Sequence, residues 1–132
     1  MSSYDAEVMA RQLSQLGRDL QAEVIELGNL SDAATDAEGE YYRLKAIHDD
    51  AVDLAFLNGE GGVEARKAKA KIECAELRGK MLDANTAWSR AKGAVSTQYA
   101  NLNALHKRVD IGRSMLSRER ALLSLANSGV DT

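Results

Sequence analysis

Apolar residues return along this chain in steps of four and three. Starting at Met9, the row runs Met9, Leu13, Leu16, Leu20, Glu23, Leu27, Leu30, Ala34, Ala37, Tyr41, Leu44, His48, Ala51 and Ala55, with only Glu23 and His48 out of character. A second row starts at Val63 and passes through Lys67, Ala70, Cys74, Leu77, Met81, Ala84, Trp88, Ala91, Val95, Gln98, Leu102, Leu105, Val109, Gly112, Leu116, Glu119, Leu123 and Ala126. Lys67, Gln98, Gly112 and Glu119 interrupt this second row. A four-three repeat sustained over many heptads marks a helix–helix seam, because it keeps one narrow apolar stripe facing a partner helix. No period-two strand pattern and no other internal repeat is present.

The two rows fall out of phase between Asn58 and Gly62, "NGEGG", a cluster of residues that tolerate left-handed backbone and end helices. The pattern therefore predicts an all-α protein: one long antiparallel helical hairpin occupying residues 1–132 as a single domain. Its first helix covers about 4–57, the turn 58–62 and the second helix about 63–127, followed by a short C-terminal tail. The segment "LGNLSDAATDAE" offers a helix-ending glycine at Gly28, then Thr35 and Glu38 at capping-box spacing. It predicts a bend or short break near 28–35 rather than a loop, since the heptad phase runs through it unchanged.

Composition agrees with long helices and few loops. Proline is absent, the chain has one Phe and one Trp, and much of its 45% hydrophobic content is alanine. That composition suits close helix–helix contact rather than a globule around aromatic side chains. A single cysteine, Cys74, forms no intramolecular disulfide and makes a reducing cytoplasm the expected location. The N-terminal segment has no signal-peptide pattern, and the longest nearly apolar run, "AVDLAFL", is too short to span a bilayer.

Charge divides at the turn. Residues 1–62 carry 13 acidic and 4 basic side chains, a net of −9; residues 63–132 carry 7 acidic and 13 basic, a net of +6. An acidic helix folded on a basic one favours antiparallel pairing, but exposed pairs contribute only about 0–1 kcal/mol each, so the gain lies in specificity. The basic half also has charge to spare. Arg66, Lys67, Lys69 and Lys71 follow the turn, and Lys107, Arg108 and Arg113 lie toward the end. Cations two apart on a helix point about 200° apart, so they cannot all meet one neighbouring helix. Those seven cations are the candidate nucleic-acid contacts, and repetition over several copies would strengthen phosphate binding.

Little else in the sequence resembles chemistry. A phosphate-binding P-loop needs a strand before its glycines and Lys-Ser/Thr after them, and neither is present. His48 and His106 have no ligand-spaced companions, so no metal site and no cofactor is expected. His48, Cys74 and Trp88 fall on the seams and read as packing residues. Two helices provide no deep cleft, so an enzyme is not expected. Val24, Ile25, Ile47, Val52, Leu54, Ile72 and Met115 lie off the seams, which predicts a homo-oligomer.

Two stretches, "AFLNGEGGVEARKAKA" and "HKRVDIGRSMLSRERALL", give the chain a likeness to a known group. Phe56, Gly59, Val63 and Arg66 in the first, and Arg113, Ser114, Leu116 and Ser117 in the second, resemble motifs of the small all-helical phage recombination mediators of the UvsY type. The resemblance covers about a quarter of the chain. It implies an oligomer that binds single-stranded DNA and assists a recombinase or annealing protein. Those mediators carry basic residues before the turn, where this chain reads "DDAVDLAFLNGE"; the implied DNA contact therefore moves to Arg66, Lys67, Lys69 and Lys71. The competing expectation is a structural or adaptor coiled coil, such as a virion or assembly component, with no nucleic-acid role.

Overall fold

A computed structural model describes residues 3–130, all of them helical except a short turn and one residue between helices. Helix α1 spans Ser3–Asn58, α2 spans Val63–Glu73 and α3 spans Ala75–Val130. The chain is a helical hairpin in which α1 packs against α2 and α3. The helix expected to stop near 127 continues to Val130, and residues 131–132 of the expected tail lie outside those described.

Burial follows the sequence rows closely. All fourteen α1 positions from Met9 to Ala55 are half-buried. On α3 every row position from Leu77 to Leu123 is buried or half-buried, the deepest being Gln98, Leu102, Val109, Leu116 and Glu119. Ala126 is exposed. No described side chain is completely enclosed, as expected where one helix face meets another without a third layer.

The contacts divide into two units. One joins the described parts of Met1–Gly28 and Ser96–Thr132; the other is Asn29–Val95. In the first, two of the polar interruptions meet: Gln98 donates its side-chain amide to the Glu23 carbonyl at 2.9 Å and to the Glu23 carboxylate. A third interruption is also explained there. A Cβ on Gly112 would stand 3.1 Å from Leu13 Cδ1, so the missing side chain gives Leu13 its place. In the second unit Tyr41 stacks on Trp88 with ring centres 5.6 Å apart, and Lys92 Nζ lies 4.1 Å from the Trp88 ring centre.

Three expectations require correction. The break near 28–35 is absent: α1 is continuous, and the Thr35 hydroxyl donates to the Ser31 carbonyl at 3.1 Å instead of capping a new helix. Half-burial of Leu30, Ala34 and Ala37 along the seam outweighs the local capping preference. The second helix is not single either, since Cys74 (φ −100°, ψ 12°) separates α2 from α3. The interruption is slight, because Cys74 N–H donates to the Ala70 carbonyl at 3.0 Å and Arg78 N–H to the Cys74 carbonyl at 2.9 Å. Finally, Val63 and Lys67 are exposed, and Arg66 takes the inward position. The inward row therefore reads Arg66, Ala70, Cys74, Leu77, with steps of four, four and three; such an eleven-residue spacing locally relaxes the heptad twist.

The turn itself is built from glycine. Gly61 has φ +97°, a conformation that L side chains rarely adopt. Gly62 then takes an extended conformation and its carbonyl accepts the Arg66 N–H at 3.0 Å, starting α2 without a side-chain cap.

Candidate nucleic-acid interface

The turn returns α2 alongside the end of α1, and the side chains of Arg66 and Phe56 fasten the two. The Arg66 guanidinium carbon lies 6.0 Å from the Phe56 ring centre, within cation–π reach. Arg66 is half-buried, with its Nε enclosed, so this cation is committed to the turn rather than offered outward.

Beyond that contact Lys67 and Lys71 stand one turn apart on α2, and Arg78 follows seven residues later on α3. At about 100° per residue these three cations share one face. They line a groove of about 440 Å³ with Val52, Asp53 and Phe56 of α1 and Ala70 of α2. Among the described residues none of the three cations makes an ion pair. Lys69 points elsewhere and meets Glu73, four residues on, at 3.8 Å. The groove thus combines an apolar floor with three cations and a single carboxylate. Such a surface suits a polyanion whose charged backbone alternates with flat apolar groups.

The sequence-predicted contacts therefore separate. Lys67 and Lys71 come together, Lys69 turns to an in-helix partner, and Arg66 holds the turn. Lys107, Arg108 and Arg113 are exposed on the part of α3 that belongs to the other unit, where Arg108 borders a groove with Gln12, Gln15, Leu16 and Asp19. Arg78, Val52, Asp53 and Phe56 were not among the candidate contacts. Arg78 could have been found, because positions 67, 71 and 78 keep heptad spacing. The α1 residues could not, since only the fold brings them opposite α2.

The remaining ionic contacts on α1 lie along its surface. Arg43 donates to the Glu40 carboxylate at 2.6 and 2.9 Å, and Lys45 to Asp49 at 2.9 Å. The Arg43 hydrogen bond holds the Glu40 carboxyl below its usual range, and the Lys45 hydrogen bond does the same for Asp49, helped by His48. His48 Nδ1 is 3.1 Å from Asp49 Oδ1, while its Nε2 is enclosed without a partner. Cys74 is buried. Among the described residues no group of three or more His, Cys, Asp and Glu could hold a metal ion, and no helix is long and apolar enough to cross a membrane.

No protein-family model, curated protein or solved structure matches the chain.

Proposed function

We propose that the chain is a non-enzymatic, self-associating accessory protein of phage-type recombination that binds single-stranded DNA and assists a recombinase or annealing protein. The observation that carries the DNA reading is the groove, where Lys67, Lys71 and Arg78, which make no ion pair among the described residues, line an apolar floor of Val52, Phe56 and Ala70 with one carboxylate, Asp53. Phosphates would meet the cations, and a splayed base would find apolar surface, with stacking on an aromatic side chain contributing about 1–3 kcal/mol. The resemblance to the UvsY-type mediators around the turn supports the same reading. It also supplies the recombination context, which the groove chemistry does not.

The test is a salt titration of oligonucleotide binding. The triple change Lys67→Gln, Lys71→Gln and Arg78→Gln should weaken binding to all sequences alike and flatten the salt dependence by a slope of about 2, at about 0.7 per lost phosphate contact on single strands. Lys69→Gln should lower affinity much less. A wild-type protein that binds no oligonucleotide at about 50 mM salt, where electrostatic contacts are strongest, would leave the structural coiled coil in place of this reading.

A further inference from the structure

The C-terminal half of α3 carries a second row, one position before the seam at every step: Arg108, Ile111, Met115, Arg118, Leu122 and Leu125. Its steps of three and four match those of the seam, so it runs parallel to the seam about 100° further round the helix. The four apolar members are 59%, 50%, 50% and 70% exposed in chain order. Single exposed apolar residues are ordinary on protein surfaces; four in heptad register form a face. On the α1 side Gln12 borders shallow grooves shared with Met115 and with Arg108.

We infer that this face docks a second copy of the chain, through the acidic outer surface of the copy's α1. Two observations select that occupant. First, the row keeps a 3.5-residue repeat, which stays straight against another helix in a coiled coil, so it fits a helical partner better than a flat lipid surface. Second, the row alternates apolar residues with Arg108 and Arg118, and among the described residues neither cation makes an ion pair. A complementary helix must bring carboxylates beside apolar groups. The α1 surface does so where exposed Ile25 lies next to exposed Glu26, about 100° round the helix, within a chain half of net charge −9. The docking rests on residues that the DNA groove does not use, so it stands or falls separately from DNA binding.

The decisive experiment is sedimentation equilibrium on the full chain, with helicity followed by circular dichroism. The wild type should form a defined oligomer at micromolar concentration. The pair Met115→Glu and Leu122→Glu should raise the dissociation constant by about 100-fold or more, as truncation of a central apolar contact does at other interfaces, with helicity unchanged. The milder pair Ile111→Gln and Leu125→Gln should raise it by about tenfold, and decides the matter if the first pair unfolds. Arg108→Glu with Arg118→Glu should weaken assembly, and Glu26→Arg in the mixed partner should restore it. A monomeric wild type, or a folded row variant of unchanged mass, would overturn the inference. So would row variants of wild-type mass that instead lose binding to phosphatidylglycerol vesicles, since the face would then belong to a lipid surface.

Discussion

Replacing Gln98 by Leu extends the apolar row of α3, and by heptad reasoning alone it should stabilise the hairpin. The contacts predict the opposite. Gln98 is only 6% exposed and its amide donates to both the carbonyl and the carboxylate of half-buried Glu23. A hydrogen bond to a charged group contributes about 1.5–3 kcal/mol, and a carboxylate left without a partner keeps its desolvation penalty. Glu23 can recover part of that penalty by turning toward water, which lowers the expected loss to about 1–2 kcal/mol. For a chain of this size the melting temperature should fall by about 4–8 °C. Changing both residues to Leu removes the amide and the charge together. Buried polar pairs replaced by apolar residues are commonly neutral or stabilising by about 1–4 kcal/mol, so the double variant should be at least as stable as the wild type. Urea denaturation of the four proteins in a double-mutant cycle measures the coupling, expected at about 1–2 kcal/mol. A Gln98→Leu protein as stable as wild type, or a double variant weaker than both single ones, would refute the reasoning.

Three further outcomes are expected. Cys74, 4% exposed, should react with a thiol reagent far more slowly in the native protein than in denaturant; equal rates would place it on the surface and undo the packing of α2. Gly61→Ala should destabilise the turn by about 1 kcal/mol because of its φ of +97°, whereas Gly62→Ala, with open space around the position, should be nearly neutral; equal effects in denaturation would contradict the turn geometry. The Glu40 and Asp49 carboxyls are held below their ordinary values of 4.5 and 3.8. Their stabilising effect is therefore complete above those values and is lost as the pH falls through the lowered folded-state values. Thermal melts of Glu40→Gln/Asp49→Asn should show a smaller loss of stability on acidification than the wild type, and high salt should reduce the difference; a loss as large as that of the wild type would dismiss these pairs.

The two rows of apolar residues were enough to determine the hairpin, because a four-three repeat leaves a helix one face to bury, and a glycine cluster between two phases leaves the chain one place to reverse. The rows also identified their own exceptions, Glu23, His48, Lys67, Gln98, Gly112 and Glu119, as the positions needing a separate account. What each exception does was decided only by the neighbour it meets. Glu23 and Gln98 stand 75 residues apart in the chain and answer each other across the seam; Gly112 is small because Leu13 lies against it. Local signals misled where packing opposed them. Thr35 and Glu38 have the spacing of a helix start, but the seam through Ala34 and Ala37 carries α1 past them. In the other direction, no Gly or Pro marks the interruption at Cys74. The cations were visible as a cluster, and Lys69 pairs within its own helix at i,i+4 spacing; the rest of their sorting was not visible, because turn packing at Arg66 and an open groove at Lys67, Lys71 and Arg78 depend on which groups the folded α1 places opposite each of them, and sequence spacing carries no record of that opposite wall.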